Sequence, residues 1–123
     1  MMFDADAAEV SALSDAYEAA LLRNDVEEMN RAFWVSPGVL RFGIADMQSG
    51  YDEIVAWRTG AAPVSSKRRT LSKVVAALAD GVVAVDLTFR NGDEAMLGRQ
   101  SQTWVRRPEG WRIARAHVSV IAD

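Results

Sequence analysis

The segment at positions 98–119, GRQSQTWVRRPEGWRIARAHVS, combines side chains that could do chemistry with a pattern typical of two β-strands. It contains His117, the only histidine of the chain, and Ser119 two positions later. Residues two apart on a strand share a face, so five residues are predicted to point the same way: Trp111, Ile113, Arg115, His117 and Ser119. If the two apolar residues face the core, His117 could act there as a general acid or base or bind a substrate. A core histidine with satisfied hydrogen bonds is the open alternative.

The preceding strand carries a second candidate, Arg99. It shares a face with Ser101 and Thr103, whereas the opposite face carries two glutamines and Trp104. The pattern leaves open which face points inward. An arginine beside His117 would make the pocket more positive, so we predict that Arg99 binds substrate together with His117 and Ser119. Ser119 lies in no G-x-S-x-G motif and is not predicted to be a hydrolase nucleophile.

Arg41 is the first of two candidate catalytic residues. It stands between Leu40 and Phe42 in a short apolar segment. A guanidinium stays protonated and presents a planar fork of donors that matches a carboxylate, so an anionic substrate would satisfy it. The alternatives are an ion pair with Asp46 or another structural acid, and exposure to water at a sheet edge.

Tyr17 is the second candidate. It falls on the apolar stripe of the first predicted helix, where its ring could pack while its hydroxyl points into a cavity. A nearby arginine would favour the phenolate form, which could move a proton or orient a water molecule. The alternative is an ordinary core tyrosine with a satisfied hydroxyl. Trp34, like Phe33 and Trp57, is predicted to belong to the core or to the wall of the pocket, and we predict that Trp34 is a fourth substrate-binding residue.

The elements that must position these residues follow from periodicity and turn signals. Helical spacing predicts a first helix with a capping box at Asp6 and Glu9, and a third helix capped by Ser49. The predicted helices cover residues 4–24, 26–34 and 51–62, with a short extended segment over 39–50. Alternation and turns predict strands over 68–79, 82–90, 94–107 and 111–122.

This order predicts one α+β domain over residues 1–123, in which three N-terminal helices pack on a curved antiparallel sheet. On the second long strand, Val83, Val85, Leu87 and Phe89 are predicted to face the core and Asp86 to face away. Long strands with polar residues on the helix side bend into a cone that encloses a pocket.

Composition restricts the chemistry. The chain has 123 residues, no cysteine, one histidine and a formal net charge of −3. Thiolate chemistry is excluded, and a metal site would need mostly carboxylates, so we expect no metal and no cofactor. The acidic balance argues against nucleic acid as a partner, and no apolar run is long enough for a membrane span. An acidic start without a basic region predicts no signal peptide and a cytoplasmic protein.

The order of elements resembles the nuclear transport factor 2-like fold, which also holds ketosteroid isomerase and the SnoaL-like cyclases. Three blocks are similar to the AtzH-like group of bacterial catabolic proteins: FWVSPGVLRFG at 33–43, GRQSQTWVR at 98–106 and GWRIARAHVS at 110–119. Members of that group accompany amidases in cyanuric acid and oxalurate breakdown.

The resemblance implies a decarboxylating amidohydrolase that acts on small carboxylated urea or biuret compounds similar to 1,3-dicarboxyurea, with catalytic roles for Tyr17 and Arg41. We therefore expect an enzyme with a small anionic substrate. One alternative is a non-catalytic accessory protein of an amidase, which would bind a small anion in the same pocket. Another is an isomerase or hydratase, which would need a carboxylate base in the pocket; Asp86 is the only acid away from the ends of the long strands and is predicted to face away. An exposed sheet face predicts a homodimer.

Overall fold

The computed structural model describes residues 3–123, which form a curved six-stranded sheet with helices packed against it. The predicted domain over 1–123 and the predicted absence of a signal peptide include Met1 and Met2, which lie outside the described residues. The elements in chain order are α1 (Asp4–Leu22), α2 (Val26–Arg31), β1 (Leu40–Phe42), β2 (Met47–Ser49), α3 (Tyr51–Gly60), β3 (Arg68–Ala79), β4 (Val82–Asn91), β5 (Met96–Arg107) and β6 (Gly110–Ala122).

The sheet has the strand order β2-β1-β6-β5-β4-β3. The four long strands form an antiparallel meander, as predicted, and the predicted short extended segment is a hairpin of β1 and β2. The prediction of a wholly antiparallel sheet was wrong in one place, because β1 pairs with β6 in parallel. No helix within residues 3–123 is both long enough and apolar enough to cross a bilayer.

The inner face of β4 lies against α1 and forms the centre of the core. Val83, Val85, Leu87 and Phe89 are buried, whereas Asp86 is exposed on the outer face, as the alternation predicted. On β5, alternation likewise buries one face, which carries Gln100, Gln102 and Trp104. The sequence left this choice open, and the structure turns the face with Arg99 outward.

Gly98 allows Phe89 to lie flat across β5. The two residues are directly paired, and a Cβ atom at Gly98 would collide with the Phe89 ring. A glycine inside a strand often marks such a close approach. The ring in turn supports Arg68, whose guanidinium carbon lies 3.8 Å from the Phe89 ring centre.

A β-bulge in β6 reverses the face on which its second half presents side chains. Trp104 pairs with Ile113 and Thr103 pairs with Arg115, which leaves Ala114 as an extra residue without a partner. An extra residue shifts the alternation by one position. Ile113 therefore faces the core, whereas Arg115 is exposed.

The prediction that His117 and Ser119 share the inner face with Trp111 and Ile113 was wrong for this reason. His117 is exposed and pairs laterally with Ser101, which is also exposed on the outer face. The prediction assumed that side chains alternate between the two faces along the whole of β6, but the bulge interrupts this alternation.

The predicted helix caps also differ from those observed. The helix α1 has Phe3 at its N-cap position and no side-chain cap. Asp6 instead accepts a hydrogen bond from the Gly81 amide, at 3.2 Å, and pairs with Arg106, so it ties α1 to the β3–β4 turn. At α3 the N-cap is Gly50 with φ of 96°, a left-handed conformation that favours glycine, rather than Ser49.

Replacing the Asp6 carboxylate, Asp6→Asn, is expected to lower the melting temperature at neutral pH. Burial alone would raise the pKa of Asp6, but the hydrogen bonds from Arg106 and Gly81 and the Arg106 charge outweigh it and lower the pKa. A lowered pKa stabilises the fold above the ordinary carboxyl range, and this stabilisation is lost as the pH falls through the lowered value. The difference from wild type should therefore shrink in acid.

Asp80→Asn is the matched control, because Asp80 pairs with the same arginine but is 76% exposed at its side chain. Exposed pairs contribute little, so its melting temperature should stay near that of wild type. Thermal unfolding followed by circular dichroism at several pH values measures both variants. Equal losses in the two variants would contradict the role given to Asp6.

Candidate functional site

A cavity of about 330 Å³ lies between the helices and the inner face of the sheet. Its wall is apolar in part, with Phe33 and Trp57 among the aromatic residues. The charged residues that line it, within the described part of the chain, are Arg41, Asp46, Arg58 and Arg68. Three arginines in a small, partly apolar cavity favour an anionic ligand.

Tyr17 and Arg41, the two predicted catalytic residues, both line this cavity. The spacing along α1 turns Tyr17 toward the core, where it is 5% exposed and packs edge-on against Phe33 with ring centres 6.0 Å apart. Arg41 is the central residue of the three-residue strand β1, so it points inward and is 9% exposed.

Arg41 is held by a closed group of three side chains, the Arg41 triad. Its Nη1 atom donates to Asp46 Oδ1 at 2.6 Å and to Gln48 Oε1 at 2.9 Å, and Gln48 Nε2 donates to Asp46 Oδ1 at 2.9 Å. The guanidinium also lies over the Trp57 ring, 4.0 Å from its centre. The pairing with Asp46 that the sequence offered as an alternative is therefore present, and Arg41 lines the cavity as well.

The electrostatics of this triad keep Asp46 ionised. Burial would raise the pKa of Asp46, but hydrogen bonds from Gln48 and Arg41 and the charges of Arg41 and Arg58 hold it below the ordinary carboxyl range. Burial lowers the pKa of Arg41, an effect that its hydrogen bond to Asp46 opposes. A guanidinium remains charged despite such a shift, so the triad is an ion pair.

A second group of the same composition, the Arg68 triad, also borders the cavity. Arg68 Nε donates to Glu18 Oε1 at 3.0 Å and Arg68 Nη2 donates to Gln100 Oε1 at 3.1 Å. Gln100 Nε2 closes the group by donating to Glu18 Oε2 at 3.0 Å. Each triad thus joins an arginine, a carboxylate and a glutamine, and the arginine of each lies over an aromatic ring.

Arg58, the third cavity arginine, differs from the other two because it has no carboxylate partner. It is 8% exposed, and no carboxylate of residues 3–123 lies within the 4 Å of an ion pair. Its Nη2 atom donates to the Tyr17 hydroxyl at 3.0 Å, its Nε atom has no hydrogen-bond partner, and its guanidinium lies 4.8 Å from the Trp57 ring centre.

Arg58 was not among the residues predicted from the sequence, where only Trp57 of this helix was assigned to the core or the pocket wall. In the structure, Ile54 and Arg58, four residues apart, are the two buried residues of α3. The i, i+4 spacing from Ile54 was the available signal, but a charged residue at such a position is ordinarily assigned to the solvent side.

The structure does not bring the four predicted substrate-binding residues to the cavity. Arg99 and Ser119 lie on the outer face of the sheet, where Arg99 Nε donates to Ser119 Oγ at 3.2 Å. His117 lies on that face and contacts Phe42 edge-on, with ring centres 5.6 Å apart. Trp34 is half-buried outside the cavity and stacks with Arg107.

The site has the donors of an anion site and lacks the donors of a metal site. Within residues 3–123, no three side chains of His, Cys, Asp or Glu are grouped so that they could hold a metal ion. The two carboxylates next to the cavity, Asp46 and Glu18, are both engaged by arginines. Among the described residues that line the cavity, the positive charge of Arg58 is the one that no carboxylate pairs with, and it lies beside the Tyr17 hydroxyl.

Comparisons with known proteins agree with this architecture. The family model described as AtzH-like matches residues 4–123. A cystatin-like fold protein from Burkholderia xenovorans LB400 is 41% identical with a TM-score of 0.92, over 98% of this chain and 96% of that chain. A protein of unknown function from Pectobacterium atrosepticum SCRI1043 is 34% identical with a TM-score of 0.91, over 98% and 94%.

A more distant structure shows the fold alone. A nuclear transport factor 2-like superfamily protein from Salmonella enterica is 20% identical with a TM-score of 0.77, over 95% of this chain and 92% of that chain. The predicted nuclear transport factor 2-like fold is thereby confirmed. The search of curated proteins found no match.

Arg41 has a carboxylate partner and Arg58 has none, so replacing each of them by methionine should change the stability of the fold by different amounts. Arg41→Met leaves the Asp46 carboxylate without its charged partner and should lower the free energy of unfolding by about 2 kcal/mol. Arg58→Met removes a buried charge whose desolvation no carboxylate offsets, so stability should remain within about 1 kcal/mol of wild type or rise. Urea unfolding of both variants without ligand measures this. Equal destabilisation of the two would contradict the difference.

Proposed function

Because the chain belongs to the AtzH-like family, we propose that it is a decarboxylating amidohydrolase acting on small carboxylated urea or biuret compounds similar to 1,3-dicarboxyurea. Its role would be in the breakdown of cyanuric acid or of related nitrogen compounds. No cofactor enters this proposal, because the chemistry requires only an anion site, a proton and water.

The observation that carries the proposal is the contact between Arg58 and Tyr17. A buried arginine without a carboxylate partner provides the charge that a substrate carboxylate would neutralise. The Tyr17 hydroxyl accepts a hydrogen bond from Arg58, so its own proton is available for donation to a bound molecule. A fixed cation and a proton donor therefore adjoin each other inside one cavity.

This pair fits the loss of carbon dioxide from an N-carboxylate. The bond between nitrogen and the carboxylate carbon breaks, its electron pair stays on nitrogen, and nitrogen takes up a proton. Tyr17 would supply that proton as a general acid, and the phenolate left behind would lie 3.0 Å from the Arg58 guanidinium before water reprotonates it. In the hydrolytic step, the oxygen of water forms a bond to the carbonyl carbon, the C–N bond breaks, and a proton from that water passes to the leaving nitrogen, which departs as ammonia.

Arg41 would hold and polarise the reacting group, with its guanidinium over the same Trp57 ring that Arg58 contacts. Both of its side-chain hydrogen bonds in the described chain come from Nη1, so the fork formed by Nε and Nη2 remains for a substrate oxygen. Such preorganised donors stabilise negative charge that develops in a transition state. The Arg41 triad gives this fork a fixed orientation.

A non-catalytic accessory protein is the second candidate. It is favoured by the observation that both carboxylates beside the cavity are tied to arginines, so neither is free to act as a base. In that case the cavity would bind a small anion, and the protein would support an amidase. The isomerase or hydratase reading is weaker, since Asp86 is exposed on the outer face.

Turnover assays distinguish the two candidates. We expect the wild-type protein to release ammonia and carbon dioxide from freshly prepared carboxylated urea and carboxylated biuret above the spontaneous rate. Tyr17→Phe removes the proton donor and should lower kcat by about a hundredfold or more. Arg41→Lys keeps the charge but loses the planar fork, and should lower kcat/KM by at least about tenfold.

Tyr51→Phe is the matched control, because Tyr51 is the other tyrosine of the chain and lies outside this cavity. Its activity should equal that of wild type, and circular dichroism should show that all variants fold. Turnover at the spontaneous rate with folded wild-type protein would contradict the enzyme and favour the accessory protein.

We also propose that the protein works as a homodimer in the cytoplasm, next to an amidase. The outer sheet face carries exposed apolar residues on three strands, namely Phe42, Met47 and Val74, and a second copy would cover them. A chain without cysteine suits a reducing compartment.

Sedimentation measures the proposed dimer. Wild type should sediment as a dimer, and Val74→Asp should shift it to a monomer, because the substitution places a charge on the covered face. Val35→Asp is the control, since Val35 is as exposed but lies in the loop between α2 and β1. A monomeric wild type at all concentrations would contradict the dimer.

A further inference from the structure

We propose that Gln102 is a further catalytic residue, whose side-chain amide donates a hydrogen bond to the central carbonyl oxygen of the substrate. The inference rests on the proposed function and adds the group that receives the charge of the attacked carbonyl. In this arrangement Gln102 donates from Nε2, and Arg41 approaches the same oxygen from the other side.

The side-chain amide of Gln102 has a fixed orientation. The residue lines the cavity and is 3% exposed. Its Oε1 atom accepts a hydrogen bond from Trp104 Nε1 at 3.1 Å. An indole nitrogen can only donate, so the atom that faces Trp104 must be the amide oxygen. The atom at the other end of the amide is therefore Nε2, a donor.

The Nε2 atom of Gln102 has no hydrogen-bond acceptor among residues 3–123. Gln100, two residues earlier on the same face, differs in this respect. Its oxygen accepts from Arg68 and its nitrogen donates to Glu18, so both of its ends are engaged within the protein. A buried donor without a partner is costly to the fold. A ligand oxygen in the cavity would supply the missing acceptor.

Strand register places Gln102 and Arg41 on two sides of a small residue. Gln102 on β5 pairs with Ala116 on β6, and Ala116 pairs with Arg41 on β1. Neighbouring strands lie about 4.8 Å apart, so the backbones of Gln102 and Arg41 are about 10 Å apart. All three residues are buried and line the cavity. The methyl group of Ala116 leaves space between the two longer side chains for a group as small as a urea.

Two donors at this point would stabilise the charge that hydrolysis creates. When the oxygen of water bonds to the carbonyl carbon, one electron pair of the C=O bond moves onto the carbonyl oxygen. This pair returns when the C–N bond breaks and a proton from the water passes to the leaving nitrogen. Donors that are already in place stabilise such an oxyanion, and the loss of one donor costs about a hundredfold in kcat.

Two dicarboxylates that differ in one carbonyl group test the contact without turnover. The dianion 3-oxoglutarate has the chain of 1,3-dicarboxyurea with methylene groups in place of the N–H groups, and glutarate lacks its central carbonyl. Isothermal titration calorimetry with freshly dissolved acids at neutral pH should show that the wild-type protein binds 3-oxoglutarate at least about tenfold more tightly. Equal affinities, tighter binding of glutarate, or no binding of either acid would overturn the proposal.

Two variants assign the preference to the Gln102 amide. Gln102→Met keeps the length of the side chain and removes the donor, and Gln102→Glu keeps the oxygen that accepts from Trp104. Each should lower the ratio of 3-oxoglutarate to glutarate affinity by about fivefold or more. Both acids carry two carboxylates, so the charge that glutamate adds cancels in the ratio.

Ser101→Ala is the matched control, because Ser101 is the next residue on β5 and is exposed on the outer face. Its affinity ratio should equal that of wild type. An unchanged ratio in a folded Gln102 variant would overturn the role of Gln102. If neither variant folds, the wild-type comparison of the two acids still tests the carbonyl contact.

Turnover tests the catalytic part separately. Gln102→Met should lower kcat for carboxylated urea by about a hundredfold. A protein that prefers 3-oxoglutarate through Gln102 but turns over no carboxylated urea keeps the carbonyl contact and loses the proposed enzyme activity. A protein whose folded Gln102→Met variant turns over carboxylated urea at the wild-type rate loses the role of Gln102 alone.

Discussion

Arg58 lies on α3 with its guanidinium buried, beside the Tyr17 hydroxyl and without a carboxylate partner among residues 3–123. Desolvation of a buried charge costs several kcal/mol when no opposite charge offsets it. The fold holds this charge in place through Ile54, one turn earlier on the helix, and through the Trp57 ring. The proposed binding of anions rests on this buried cation, and the neighbouring groups surround its charge.

The two triads show how separate parts of the chain complete one site. The short hairpin supplies the first triad, with Arg41 on β1, Gln48 on β2 and Asp46 just before β2. The second joins Arg68 from the start of β3 to Gln100 on β5 and to α1 through Glu18. Both arginines thereby pair with one carboxylate and one glutamine, so the carboxylate neutralises the charge of each guanidinium. Arg41 and Arg68 have carboxylate partners and Arg58 has none. This difference depends on the whole fold, because the partners of the first two arginines come from five elements and the loop before β2.

Much of the fold could be predicted from the sequence, because the four long strands show clear alternation and are bounded by turn signals. Tyr17 could be placed by helical periodicity, and Arg41 by its position between two apolar residues. The face on which His117 lies could not be predicted. The bulge at Ala114 shifts the alternation of inward and outward side chains along β6, and no residue type in the sequence signals it. Arg58 was missed because its burial depends on a cavity that only the packed helices and sheet create.

A crystal structure of the protein with bound malonate, a small dicarboxylate, tests the central claim most directly. We expect one ligand in the cavity, with a carboxylate oxygen within hydrogen-bond distance of the Arg58 guanidinium and beside the Tyr17 hydroxyl. A ligand that contacts Arg41 or Arg68 but not Arg58, or a ligand found only on the outer sheet face near Arg99, would contradict the claim that the unpaired charge of Arg58 is the anion-binding centre.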